Sequence, residues 1–207
     1  MKKQWITIGL LLLIVSVVFT IILTKVDVKV IGPENSAVGL SSINSKLSFD
    51  YNEKVYKVSK YLGYVALVIP GVYALIGLIQ LIKGKSLSKV DKRLFVLAVF
   101  YCVVLATYVL FEKVIINYRP VILDEGLEAS YPSSHTLMSL CFTVSAILIN
   151  KAMFKDKTKL INLGLLVLGF AIVLGRYISG VHWFTDIVGS ILISITLLSF
   201  FKAFVKE

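Results

Sequence analysis

Trp5-Ile6-Thr7-Ile8-Gly9-Leu10-Leu11-Leu12-Leu13-Ile14-Val15-Ser16-Val17-Val18-Phe19-Thr20-Ile21-Ile22-Leu23-Thr24 contains no charged side chain. Its apolar residues run on without a break, so this is not a helix that turns a polar side to water. A helix needs about 20 largely apolar residues to cross the hydrocarbon of a bilayer, and this stretch has that length. The basic start Met1-Lys2-Lys3 would suit a secretory signal. The run is too long for a signal core, and the bulky Ile21-Ile22-Leu23-Thr24-Lys25 offers no small-x-small cleavage site. The expectation is a retained first helix acting as an uncleaved signal anchor.

Five more such runs follow, about Tyr61–Ile82, Leu94–Phe111, Leu137–Asn150, Leu160–Gly175 and Phe184–Val205. The fourth and fifth spans are short as drawn, and their ends are expected to extend into the flanking residues. Mean hydropathy is +0.88, and only 16% of the residues are charged. That excludes a water-soluble globule and leaves little chain for a second domain. The expected fold is all-α: one integral membrane domain over residues 1–207, built as a six-helix bundle.

A net charge of +10 would suit a nucleic-acid partner if it lay on one face. It does not. With the amino terminus inside, the cytoplasmic pieces are Met1–Gln4, Lys83–Arg93, Lys151–Lys159 and the tail after Val205, with Lys202 counted there. They hold 13 of the 22 Lys and Arg residues against three acidic ones. The opposite side has nine basic and nine acidic residues. This is the positive-inside asymmetry, so the basicity reports orientation, and no nucleic acid is expected as a partner. Six spans put both termini in the cytoplasm. They leave Lys25–Lys60, Glu112–Thr136 and Arg176–Trp183 outside. The first of these carries the turn signals Gly32-Pro33, Asn35-Ser36 and Gly39, and its end, Val55–Tyr61, reads as snorkelling anchors of the second span. Cys102 and Cys141 lie in separate spans and read as buried small hydrophobes, with neither metal spacing nor a disulfide in view.

Both histidines of the chain fall on that outer face. His135 closes Tyr131-Pro132-Ser133-Ser134-His135, where serine makes a good N-cap. The unpaired N–H groups of the first turn, with the helix dipole, form a seat for an anion. His182 and Asp186 stand four apart at the start of the sixth span. On a helix that spacing shares a face, so Asp186 would bond one ring nitrogen and leave the other free as a nucleophile. Trp183 reads as an interfacial belt residue. Lys113, Arg119 and Arg176 flank the same loops, and guanidinium and ammonium groups bind phosphate oxygens.

These clusters resemble the signature of the type 2 phosphatidic acid phosphatase superfamily, membrane lipid phosphatases that share a core with vanadium-dependent haloperoxidases. The signature has Lys…Arg-Pro, Pro-Ser-Gly-His and Arg-x5-His-x3-Asp elements. Here they are Lys113…Arg119-Pro120, Pro132-Ser133-Ser134-His135 and Gly175-Arg176-x5-His182-x3-Asp186. The resemblance covers about Leu94 to the carboxyl end. Three departures stand out. Lys113 is one residue too close to Arg119, Ser134 replaces the usual glycine, and Gly175 replaces the usual serine before the arginine.

The resemblance implies catalysis by His182 as nucleophile, His135 as acid and then base, and Asp186 as stabiliser of the His182 imidazolium. Lys113, Arg119, Ser133, Ser134 and Arg176 would hold the phosphate. It implies a hydrolase without cofactor or metal that acts on a lipid phosphate or diphosphate in the bilayer, of the undecaprenyl diphosphate or phosphatidylglycerophosphate type. Two other readings remain: phosphoryl transfer to a lipid or glycan acceptor, and a non-enzymatic lipid-binding or transport protein. The transport reading predicts mid-span charges, which this chain nearly lacks.

Overall fold

The computed structural model describes residues 1–124 and 126–205, without the side chain of Asp156. The tail after Val205, counted above with the cytoplasmic side, lies outside the described residues. The helices are α1 (Lys2–Lys25), α2 (Ser41–Leu47), α3 (Glu53–Gly84), α4 (Lys92–Lys113), α5 (Ser134–Phe154), α6 (Lys159–Ile178) and α7 (Phe184–Phe204). All except α2 are long and apolar enough to span a bilayer. The fourth and fifth spans do extend past the limits drawn from hydropathy, to 21 and 20 residues. The second is longer than read: α3 runs 32 residues, and Val55–Tyr61 forms its opening turns. Asn52 starts it by accepting the Val55 N–H at 3.2 Å.

Burial ranks these helices. In their most apolar windows α5 and α7 are 50% buried, while α1, α3 and α6 are 17% buried. The bundle therefore has α5 and α7 at its centre. α1 lies along α7, α3 against α5 and α6, and α4 more lightly against α5 and α7. The outer faces carry exposed Leu, Ile, Val and Phe, as a lipid-facing surface does. Lipid tails are as apolar as leucine, so helices in a bilayer are held by close packing and polar contacts. The α1–α7 seam shows both. Gly9 sits under the Phe200 ring, and Ser16 Oγ meets Thr196 Oγ1 at 3.0 Å. Cys141 is buried in the centre as expected. Cys102 is not: it is exposed on the outer face of α4, because only the side of α4 that carries Leu97 and Val104 meets the bundle.

At one end of the bundle α4 and α6 finish and α5 and α7 begin. Three connections cover this end. Residues 26–52 carry a two-strand antiparallel hairpin, β1 (Lys29–Val30) with β2 (Ala37–Val38), and then α2. Residues 114–133 fold back on themselves through the bridge Tyr118↔Ala129. Residues 179–183 join α6 to α7. Hydropathy does not reveal α2, because Ser41–Leu47 is mostly polar. Its Asn44 is nonetheless fully buried. Asn44 Nδ2 donates to Gly39 O at 2.9 Å and Thr185 Oγ1 at 3.0 Å, and its Oδ1 accepts the Thr185 N–H at 3.1 Å.

Candidate active site

The three covering segments bring the signature elements together beneath them. His182 lies just before α7, in a connection too short to wander, and is 1% exposed. Arg176 in the last turn of α6 is also 1% exposed, and its Nη2 lies 3.0 Å from His182 Nε2. A guanidinium can only donate, so Nε2 is the acceptor and the ring proton sits on Nδ1. Burial, then Arg176, Arg119 and His135, hold the His182 pKa well below its ordinary value. The ring is thus neutral, with the Nε2 lone pair directed into the cationic end of the site.

Asp186 is fully buried at the third position of α7. Its Oδ2 accepts the Trp183 N–H at 2.9 Å, the return half of a capping box. The hydrogen bond to His182 expected from the i, i+4 spacing is not formed. Nδ1 and Oδ2 are 3.8 Å apart, beyond hydrogen-bond range. The reason is local: α7 begins at Phe184, so His182 is off the helix and the two residues do not share a helical face. The pair faces each other across a gap that a small ring movement would close. Trp183 also differs from expectation. It is 7% exposed and donates its indole N–H to Tyr118 O at 2.8 Å, pinning the 114–133 loop over the site.

His135 is in the first turn of α5, within electrostatic reach of Arg176, Arg119 and Lys60. Its ring lies against Gly63 of α3, where a β-carbon would run into the imidazole. The helix approach at Gly175 is also close: a β-carbon there would stand 2.9 Å from Ser59 Cβ. That contact gives the departure from the usual serine its cause, since a hydroxymethyl group would push α6 off α3. Tyr56, one turn before Lys60 on α3, places its ring 5.0 Å from the Arg176 guanidinium carbon, a cation–π distance.

Arg119 enters from the loop, with Nη1 paired to Glu128 at 2.8 Å. Ser133 is fully buried, and as the N-cap of α5 it makes no side-chain cap bond. Its N–H is not open to an anion either, because it donates to Asp186 O at 3.4 Å. That corrects the expectation for the Ser133 amide. Its hydroxyl remains. Ser134 sits at the helix start, partly buried. Lys113 stands apart: in the last turn of α4 it is exposed, and it shares none of the contacts that link the other residues. The phosphate role expected for Lys113 therefore finds no contact with the other site residues among the described residues.

The decisive feature is a set of buried polar atoms with no hydrogen-bond partner among the described residues. They include Arg119 Nε, Arg176 Nε and Nη1, Ser133 Oγ and His135 Nδ1. Buried polar groups are nearly always paired, and an unmatched buried charge costs several kcal/mol (on the order of 3–5 when a partner is removed). Here such atoms, from the 114–133 loop, α5 and α6, stand open together in the region of His182. Sequence reasoning missed Ser130, Tyr56 and Gly63, which lie outside the signature elements, and Asn117, which occupies an unspecified position within the first of them.

The fold and this site define a six-span membrane protein that buries a histidine–aspartate pair among arginines at one end. Its family follows from comparison with known proteins. The model of the PAP2 superfamily matches residues 94–207, and the chain belongs to that superfamily. The fold is similar to the crystal structure of the first transmembrane PAP2 type phosphatidylglycerolphosphate phosphatase from Bacillus subtilis. The TM-score is 0.57 at 15% identity, over 78% of this chain and 81% of that one. Among curated proteins no match was found.

Proposed function

We propose that this protein is a membrane lipid phosphatase that works through a phosphohistidine, with its site at the outer face of the membrane. The open guanidinium donors of Arg176, beside His182 Nε2, and of Arg119, within its electrostatic reach, carry this reading, with the buried Ser133 hydroxyl at the start of α5. A phosphate seated on the two guanidinium groups presents phosphorus to the one ring nitrogen that has a lone pair. Nε2 attacks, the phosphorus–oxygen bond to the lipid breaks, and His135 gives a proton to the departing oxygen. Asp186 stabilises the imidazolium as the phosphoryl group arrives. His135 then takes a proton from water, which cleaves the phosphorus–nitrogen bond and frees phosphate. Charge developing on the phosphoryl oxygens meets cations already in place, the largest usual term in such catalysis. The chain supplies those cations as arginines, which supports turnover without a divalent ion.

The outer location rests on the positive-inside asymmetry, and the substrate is a lipid phosphate or diphosphate, of the undecaprenyl diphosphate or phosphatidylglycerophosphate type. The test is phosphate release by detergent-purified protein from a panel of lipid mono- and diphosphates. Activity in excess chelator, absent in His182→Ala, is the expected result. Turnover by His182→Ala, or activity that returns only with added metal, would sink the corresponding part.

A further inference from the structure

We propose that Asn117 is a positioning residue for the Asp186–His182 pair, aimed by the hairpin segment that covers the site. This rests on the phosphatase reading above. Asn117 is 1% exposed. Its Oδ1 accepts the Gly39 N–H at 3.4 Å, and its Nδ2 donates to Asp186 Oδ1 at 3.3 Å. The orientation of the amide is dictated: Gly39 offers a donor and Asp186 an acceptor, so oxygen must face one and nitrogen the other. Asp186 Oδ2 takes the Trp183 N–H and is the oxygen facing His182 Nδ1 at 3.8 Å. Neutral donors on both oxygens, Asn117 on Oδ1 and the Trp183 N–H on Oδ2, with the Ser130 hydroxyl also bonding the carboxylate, set its plane and with it the direction in which Asp186 meets the imidazole. Gly39 is held in turn by Asn44, which also grips the start of α7 through Thr185. Gly39 and Asn44 precede the residues matched by the family model, so this chain aims its central carboxylate partly with a segment outside that match.

The bland alternative is that Asn117 only staples the 114–133 loop. Asn117→Asp separates the two. It keeps the shape and the oxygen toward Gly39, but turns an acceptor toward Asp186. The charged or titratable groups acting on Asp186 are His182, Arg119 and Tyr131. Ser130 in the loop, Asn44 on α2 and Thr20 on α1 bring only neutral groups to that region. At alkaline pH the variant carries two facing carboxylates. At acid pH the introduced carboxyl is protonated and donates again.

The expected kcat deficit of Asn117→Asp on a lipid phosphate is about 10²-fold at pH 8, with KM little changed, shrinking to under about 10-fold at pH 5.5. Asn117→Ala should lose a similar factor at every pH. An Asn117→Asp enzyme equal to wild type throughout, or one with a constant deficit that follows a lowered melting temperature, would overturn the proposal. If wild-type protein releases no phosphate from any lipid, the functional reading fails on its own. The inference is then decided by imidazole nitrogen shifts of His182 in the full-length protein. Wild type should show the Nδ1–H form and Asn117→Asp an altered tautomer balance at pH 8; identical spectra would overturn it.

Discussion

The two ends of this bundle both bury polar side chains, and they treat them in opposite ways. At the end remote from the histidines, Tyr73 Oη donates to Asn150 Oδ1 at 2.7 Å, Asn150 Nδ2 to Asn162 Oδ1 at 2.9 Å, and Asn162 Nδ2 to Thr158 Oγ1 at 3.4 Å. The chain ties α3, α5 and α6 together, and each donor finds an acceptor. Nearby, Arg93 pairs with Asp91 and donates to Ala152 O. At the histidine end, Arg176 and His182 are buried, Arg119 and His135 partly so, and atoms of theirs are left open. A closed polar network is a fastener, whereas an open one, costly in the resting protein, is built for something that arrives. The contrast separates structure from function without reference to any relative.

The sharpest way to break that contrast is to remove the nucleophile. His182→Ala should lower phosphate release by about 10⁴-fold or more while the protein still folds, because the covalent route is gone. Arg176→Gln comes next. It should cost about 10²–10³-fold in kcat/KM, and its melting temperature should rise, since an unmatched buried charge is removed. A fall in melting temperature would mean that Arg176 is a fastener after all. At the opposite end, Tyr73→Phe should leave activity unchanged and cost about 1–3 kcal/mol of stability, read from thermal or denaturant unfolding, by stranding the Asn150 oxygen.

A pH experiment sharpens the same division. The folded-state pKa of His182 is lowered below 6.5, so the unfolded chain binds the extra proton first. Its contribution to stability is therefore full above pH 6.5 and is lost as the pH falls toward the lowered value. Wild type should lose more melting temperature on acidification from pH 6.5 than His182→Asn does. Phosphate should narrow the gap, since an anion offsets the arginine field that depresses the pKa. The smallest effect is expected at Lys113→Ala, with kcat/KM near that of wild type; a loss as deep as that of Arg176→Gln would restore Lys113 to the site.

Much of this molecule is legible along the chain. Runs such as Trp5–Thr24 announce spans because length and hydropathy are local properties, and helix in a bilayer satisfies its own backbone. Arg176, His182 and Asp186 are legible as a cluster because they are close in sequence. Where the sequence misleads, the cause is shared. Helical spacing predicts an Asp186–His182 bond, but α7 starts only at Phe184, which leaves His182 off the helix. Residue type alone makes Trp183 a belt residue and Cys102 a buried one, yet which face a side chain meets depends on the neighbouring helix.

The membrane spans, the all-α class and the residue types of the reacting groups can be read from the chain alone, since each follows from local hydropathy or short spacing. Packing in three dimensions was needed to make α5 and α7 central, to leave Lys113 outside while Asn117 reaches Asp186, and to let α3 close on the site at Gly63 and Gly175. Those are contacts between segments tens of residues apart, and they depend on how the helices meet, which no local pattern of the chain encodes.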